Sequence, residues 1–406
     1  MSTHKREKST LDTIPRRDGY YMPSEFEPQR ATWLGWPSNP GTFRLGPAQL
    51  AIATVARTIS QYQTVQIVAP HSTWLKATEY FKNDENIFVC EVESNDGWLR
   101  DIAPTFLIKK NKNKGIGKGQ GRDLRALGWK FNGWGKPKEI KHDLDALVAL
   151  KISNFLSTQF YKNFDFACEG GSYSVDGQGT LITTEQCLLN KNRNQHLDKR
   201  QIQDVLCKYL NVRKVIWLPL GVFMDYDTDG HVDNLCVFAD VAKVLLSWPK
   251  NCGTDACEDK EQEIVSLAAM KVLESSTDAK GRPFSVVKVP HPPPLIYTQK
   301  EIDTLPTVKG SYQRKAGVRM AGSHVNLIIT NDVVVVPIFH CESDEEAMKI
   351  ISHAFPSKKV VGVYAREILM GGGNIHCMSQ QEPLSDTKNG YFKIINNRRT
   401  LKIKNK

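Results

Sequence analysis

Cys377 stands just past three consecutive glycines in the stretch Gly371-Gly372-Gly373-Asn374-Ile375-His376-Cys377-Met378-Ser379-Gln380-Gln381. Each glycine gives up maximal backbone freedom on folding, so a run of three stabilises neither helix nor strand. A backbone that must pass close to a ligand is the usual reason for such a run, which marks Gly372 and Gly373 as candidate substrate-binding positions. The thiol is flanked by polar groups, whereas structural cysteines normally sit among apolar neighbours. On this stretch alone, Cys377 can be a nucleophile, a buried thiol or a metal ligand.

Three other polar clusters carry residue types suited to chemistry. Ser94-Asn95-Asp96-Gly97-Trp98-Leu99-Arg100-Asp101 places an aromatic and an acid three apart beside an arginine, and Cys168-Glu169-Gly170-Gly171-Ser172 puts an acid before a Gly-Gly turn. A turn with a surface ion pair accounts for the first, and turn chemistry for the second, if each is taken alone. Asp227, Asp229, His231 and Asp233 occupy every second position, so an extended segment would carry all four on one face. Three carboxylates beside one imidazole repel one another unless a cation compensates, either a metal or a positively charged substrate. Cys, His, Asp and Glu from separate stretches suit thiol attack on an electrophile that carboxylates already hold. A free thiol is only about 3% thiolate at neutral pH, so a nearby imidazolium or a cationic substrate must favour ionisation. Carboxylate forks select a guanidinium, whose planar donors match them two at a time.

These clusters need a scaffold, and the hydrophobic pattern supplies one. Helical spacing over Pro47 to Tyr62 is followed by a β-branched strand at Thr64 to Ala69, a helix at Thr73 to Phe81 and a strand at Ile87 to Val92. Later stretches repeat the order: helix Leu144 to Ser157; strand Thr180 to Thr183; helix Leu197 to Leu210; strand Lys214 to Leu218. Asn234 to Phe238 and Val244 to Trp248 read as a hairpin, followed by helix Glu261 to Glu274 and strand Ser285 to Val289. Val325 to Thr330 and Val333 to Ile338 read as a hairpin across Asn331-Asp332. Ser343 and Glu346 give a capping-box signature for the next helix, which Pro356 stops before the strand Val360 to Val363. Hairpin, helix and strand therefore recur, predicting a pseudo-repeated α/β architecture whose loops meet at one centre.

Composition narrows the class. The 406 residues are 40% hydrophobic and 24% charged, as expected of a soluble globular protein. No run approaches the roughly 18 to 20 apolar residues of a membrane span, and MSTHKREKST lacks the apolar region of a signal peptide, so a cytoplasmic protein is expected. Nine cysteines spread along the chain fit reduced thiols better than a disulfide framework. The formal net charge of +10 resembles a nucleic-acid signal, but its distribution argues otherwise. Six basic residues lie between Lys109 and Arg122 and six between Lys393 and Lys406, with no acid in either stretch, so the remainder carries −2. The expected organisation is a disordered segment over 1–18, one catalytic domain over 19–389 with a flexible basic insert near 109–123, and a basic tail over 390–406. Only that tail suits a nucleic acid, and no membrane contact is expected.

Five segments, MPSEFEPQ, NDGWLRDIAPTF, CEGGSYSVDGQGT, TDGHVDNLCVF and LMGGGNIHCMSQQEP, resemble in the same order the agmatine deiminases, of the bacterial peptidylarginine-deiminase-like branch of the guanidino-group-modifying superfamily. The resemblance runs from about Tyr21 to Pro383. It implies the pentein fold, an α/β five-bladed pseudo-symmetric propeller of ββαβ modules, and a homo-oligomer, a dimer first of all. It also implies that Cys377 is the nucleophile, His231 the general acid and base, and Glu169 the partner that orients the imidazole. Asp101 and Asp233 would grip the guanidinium of a small cationic substrate, with Trp98 lining the pocket and Asp227 or Asp229 balancing a distal amine. His376 points elsewhere if the strand is extended, and is expected to be structural. The reaction so implied, agmatine and water to N-carbamoylputrescine and ammonia through a Cys377 amidino-thioether, needs no metal or organic cofactor.

This chain departs from the family pattern at Asn39 and Phe43 in WPSNPGTFR, where arginine and tryptophan are usual, and at His324 in GSHVN, where tyrosine is common. These leave the chemical centre intact and bear on recognition of the substrate's tail. Deimination of arginine or peptidylarginine, and amidino transfer, would use the same centre. A metallohydrolase built on His231, Asp233, His376 and Cys377 would be expected to carry an HExxH or CxxC, and the chain has neither. A catalytically dead binding protein acting through its basic tail is the remaining reading.

Overall fold

Thr64–Ala69 lies at the middle of a sheet, parallel to Gln29–Gly35 on one side and Ile87–Glu91 on the other. The computed structural model describes residues 10–110, 121–137, 140–309, 311–386 and 400–402. On the outer side of Gln29–Gly35 the late strand Ser379–Pro383 pairs antiparallel, with Ser379 opposite Leu34. The segment that follows Cys377 is thus bonded to one near the start of the chain.

Four other sheets share one plan, an antiparallel pair extended by a parallel strand. Thr105–Lys110 and Arg122–Lys130 are joined by Gln159–Ala167, and Tyr173–Val175 and Thr180–Thr184 by Lys214–Leu218. Cys236–Asp240 and Lys243–Trp248 are joined by Ser285–Pro290, and Ile328–Ile329 and Val333–Ile338 by Lys359–Tyr364. A parallel neighbour needs a crossover, supplied here by the helices Val148–Leu156, Lys199–Tyr209, Lys260–Glu274 and Asp344–Ala354 in turn. The result is a mixed α/β fold in which hairpin, helix and strand recur as the sequence predicts.

Helices bury the faces that predicted them. In Leu45–Ser60, Ala48, Ile52, Val55, Ala56 and Ile59 are buried, each isoleucine contributing about 1.5–3 kcal/mol relative to exposure. That cluster continues through Val333 and Val335 to Ile375 and Met378, so Cys377 sits at the edge of an apolar core despite its polar sequence neighbours.

Several local expectations fail for identifiable reasons. Residues 1–9 lie outside the described residues, but the rest of the segment expected to be disordered is ordered: Thr10–Leu11 pairs with Phe160–Tyr161 and Pro15–Asp18 forms a short helix. An ion pair of Asp18 with Arg125 at 2.6 Å holds it down. The α-helix predicted from Leu144 begins only at Val148, because Asp145 turns its carboxylate to the N–H groups of Asn95 and Asp96. The strand predicted from Val325 is reduced to Ile328–Ile329, the preceding residues forming turns. Ser343 makes no cap; its hydroxyl lies 3.0 Å from His324 Nε2. Most of the basic insert expected near 109–123 falls outside the described residues, although Lys109 and Lys110 end one strand and Arg122 begins its partner. The basic tail expected over 390–406 does too, apart from Thr400–Lys402, a strand parallel to Val89–Glu91. Among the described residues no helix is long and apolar enough to cross a membrane. All nine cysteines are free thiols.

Candidate active site

Four separate segments deliver polar side chains to one buried centre. Asp101 comes from the short helix Leu99–Ile102, and Glu169 and Gly171 from the turn after Gln159–Ala167. His231 and Asp233 come from the approach to Cys236–Asp240, and Cys377 from the turn before Ser379–Pro383. Arg100 ties two of them together, its backbone N–H donating to the Cys377 carbonyl at 3.0 Å.

The His231 ring is fully buried between two carboxylates, with Nδ1 3.9 Å from Asp101 Oδ1 and Nε2 3.7 Å from Glu169 Oε2. Burial alone would lower its pKa, but Asp101, the Cys187 thiol and Glu169 outweigh burial and hold it well above the ordinary range. The two carboxylates therefore favour the imidazolium form of His231. Glu169 is in turn held by Arg193, whose Nε lies 2.7 Å away, and Arg193 and His231 overcome burial to keep that carboxyl below its usual range. Asp101 accepts from Trp134 Nε1 at 2.9 Å and from the Gly171 N–H at 3.1 Å. Burial, with Glu169 and Asp233 nearby, still pushes it up to about 6.

Asp233 has a different environment. Its Oδ2 lies 2.8 Å from His376 Nδ1, and His376 Nε2 lies 2.8 Å from Glu25, which pairs with Arg100 at 3.1 Å. Both ring nitrogens of His376 therefore donate to carboxylates. Burial and Arg100 oppose its charge, but Glu25 and Asp233 prevail and raise its pKa. Asp233 is lowered against burial by His376, His231 and Arg100.

The Cys377 sulfur accepts from Asn326 Nδ2 at 3.3 Å, while the Asn326 carbonyl oxygen takes the His376 N–H at 3.0 Å. The thiol faces Asp233 Oδ2 at 3.6 Å. Burial, Asp233 and Asp101 push its pKa well above the ordinary value, so it is a neutral thiol until positive charge arrives.

A cavity of about 70 Å³ opens onto this centre, lined by Trp98, Asp101, Cys377 and Gly371 to Gly373. His231 and Asp233 are buried behind that wall. The glycines are crowded from the inside. A Cβ on Gly373 would lie 2.8 Å from Trp98 and 3.1 Å from the Cys377 sulfur, and one on Gly171 would lie 2.5 Å from His231 Nδ1 and 3.2 Å from Asp101 Oδ1. Gly372 also has φ +110°, a conformation open to glycine.

The expectation that Asp227, Asp229, His231 and Asp233 share one face fails. Asp229 at φ +59° and Gly230 at φ +85° break the extended run, and Asp225 gathers the N–H groups of Thr228 and His231 into a turn. Only His231 and Asp233 reach the centre. Asp227 binds Arg314 at 2.7 Å and Asp229 binds Arg193 at 2.9 Å, so both carboxylates expected to balance a distal amine already face arginines. Arg314 also donates to the Gly371 carbonyl. Of the departures from the family pattern, Asn39 and Phe43 line or abut the same cavity, whereas His324, expected to bear on recognition of the substrate's tail, lies apart from it, bonded to the Pro337 carbonyl and the Ser343 hydroxyl. Asn39 and Thr42 donate to Asp96, and Phe43 packs on Trp98 with centroids 5.2 Å apart. Burial pushes the Asp96 carboxyl up to about 6.

His376, expected to point away, instead bridges Asp233 and Glu25. Glu25 and Asn326 were also missed, although Glu25 lies in MPSEFEPQ and Asn326 in GSHVN. Arg193, Trp134 and Cys187 lie in no motif, and local sequence offered no signal for them.

Known proteins share this arrangement of chain. The family model for Porphyromonas-type peptidyl-arginine deiminase matches residues 21–383. The chain is 44% identical over 380 residues to an agmatine deiminase of Pseudomonas aeruginosa, covering 92% of this chain and 98% of that one. Identity to an agmatine deiminase of Pseudomonas syringae is 42% over the same length and the same shares. The solved agmatine deiminase of Enterococcus faecalis superposes with a TM-score of 0.83 at 37% identity, covering 92% of this chain and 98% of that one. With the match spanning nearly all of the described residues and every sheet, the chain belongs to the Porphyromonas-type peptidyl-arginine deiminase family and, within it, to the agmatine deiminases.

Proposed function

We propose that the enzyme hydrolyses agmatine to N-carbamoylputrescine and ammonia through a covalent intermediate on Cys377. The observation that carries this reading is the Cys377 thiol opening onto one small cavity, with the His231 imidazole buried behind its wall between the carboxylates of Asp101 and Glu169.

The guanidinium is flat and cationic. Asp101 and Asp233 hold it in plane, and its positive charge draws the Cys377 thiol to ionise, the proton leaving to solvent through the cavity. The thiolate attacks the central carbon, and His231 gives a proton to the departing ammonia. The remaining amidino-thioether is cationic and still held by the acids. Neutral His231 then takes a proton from water, the hydroxide adds to the carbon, and collapse expels the thiolate and the ureido product. Glu169, locked by Arg193, keeps the imidazole in place. Asp96, a buried acid on the cavity wall with no ion pair among the described residues, is positioned to meet the distal amine. The carboxylate of free arginine would meet Asp96 unfavourably, and leaving such a charge unpaired costs several kcal/mol.

The five sheets, each with an antiparallel pair and a following parallel strand, support a pseudo-fivefold propeller with the cavity at its centre. Nine unpaired thiols favour the cytoplasm as the compartment. The test is ammonia release from agmatine, arginine and an arginine-containing peptide, with products identified by mass. Ammonia and N-carbamoylputrescine from agmatine alone are expected, and preferential release from arginine or the peptide would overturn the substrate reading.

A further inference from the structure

We propose that His324, Cys341 and Asp344 bind a borderline-soft divalent cation such as Zn²⁺ at a site separate from the catalytic pocket. Their ligand atoms all lie within 4.8 Å of one another. An imidazole, a thiol and a carboxylate form a donor set that suits zinc or cobalt rather than magnesium or calcium.

The imidazole is already oriented. His324 Nδ1 lies 2.9 Å from the Pro337 carbonyl, which only accepts, so the ring proton sits on Nδ1 and Nε2 carries a lone pair. A bond of this kind to a backbone carbonyl is what fixes a metal-bound histidine. Nε2 points toward Ser343 Oγ at 3.0 Å and Asp344 Oδ1 at 3.5 Å, and the Cys341 sulfur lies 3.2 Å from the same carboxylate oxygen. Two acceptor atoms and a sulfur thus converge, with only the hydroxyl and thiol protons between them.

The carboxylate is held by the turn that carries it. Asp344 accepts from the Phe339 and Cys341 N–H groups at 3.2 Å, and His340 at φ +57° closes the turn. The positive end of the helix Asp344–Ala354 opposes a cation there, and the acids of its first turn, Asp344, Glu345 and Glu346, offset it. Glu342 and Ser343 stand on the wall of a cavity of about 580 Å³, which gives the ion a path and room for water as a fourth ligand. Binding breaks the Cys341 S–H bond, forms the metal–sulfur bond and releases the proton to solvent. None of these residues belongs to the catalytic centre, but His324 lies two positions from Asn326, which bonds the Cys377 sulfur.

The experiment is titration of the chelator-stripped, full-length protein with Co²⁺, read by the thiolate-to-cobalt charge-transfer absorption and by stoichiometry. One Co²⁺ per chain is expected, displaced by Zn²⁺. The band should persist in Cys377→Ser and vanish in Cys341→Ser, a swap at a partly exposed position that should leave the melting curve unchanged. His324→Phe should weaken binding by about tenfold or more; if that variant fails to fold, Cys341→Ser decides. An undiminished band in Cys341→Ser, or no cobalt bound to the unaltered chain at micromolar concentration, would overturn the proposal.

Discussion

Asp233 Oδ2 lies 2.8 Å from His376 Nδ1, and the Cys377 thiol faces the same oxygen at 3.6 Å. One histidine thus sustains the charge of the acid beside the nucleophile. His376→Gln removes the positive half of that bond, so the depressed pKa of Asp233 should rise. A group lowered in the folded state loses its charge as pH falls through its pKa, so the acid limb of kcat/KM should move to higher pH. A pH-rate profile superimposable on the unaltered enzyme would contradict this.

Cys377→Ser should reduce turnover by at least about 10³-fold, since a hydroxyl in this acidic pocket is a far weaker nucleophile. Agmatine binding, measured by calorimetry, should survive. Residual turnover within tenfold of the original would exclude the covalent route.

Gly171→Ala would put a methyl group 2.5 Å from His231 Nδ1. Overpacking of this kind costs about 1–3 kcal/mol and displaces the imidazole or Asp101. A fall in kcat of more than about tenfold is expected, with the chain still folded by circular dichroism.

Asp96→Asn can keep its oxygen toward Asn39 and Thr42 but loses the charge and the bond from the Gly97 N–H. KM for agmatine should rise about tenfold or more, as for loss of a charged hydrogen bond, with kcat little changed. A guanidine with an uncharged tail should show no such change, and equal effects on both compounds would rule out contact with the amine.

Glu25 is depressed to about 2, because Arg100 and His376 outweigh burial. Its contribution to stability is present above the unfolded carboxyl pKa and is lost as pH falls toward 2. Acid unfolding followed by fluorescence should therefore begin at higher pH in the unaltered chain than at the same ionic strength in Glu25→Gln, once both are normalised to their stability at a pH above the unfolded carboxyl pKa. Identical normalised curves would place the acid sensitivity elsewhere.

Local pattern revealed the scaffold well. The β-branched run Thr64–Ala69 and the spacing of Ile52, Val55 and Ile59 report directly on burial, so those elements emerge at nearly their observed limits. The pairings did not emerge, because nothing local to Gln29–Gly35 specifies Ser379–Pro383 as its neighbour. In the site, residues inside ordered motifs could be read, whereas Arg193 and Trp134 act through a tertiary fold that puts a guanidinium behind Glu169 and an indole on Asp101. Period-two spacing misled at Asp227 and Asp229 because one left-handed residue suffices to abolish alternation.

The pairing of Ser379–Pro383 with Gln29–Gly35 sets the order of events when the polypeptide is made. The thiol is fixed only after a segment made late has docked on one made early. A nascent or truncated chain ending before Ser379 lacks this pairing and should remain inert, so catalysis waits for the late strand to be made.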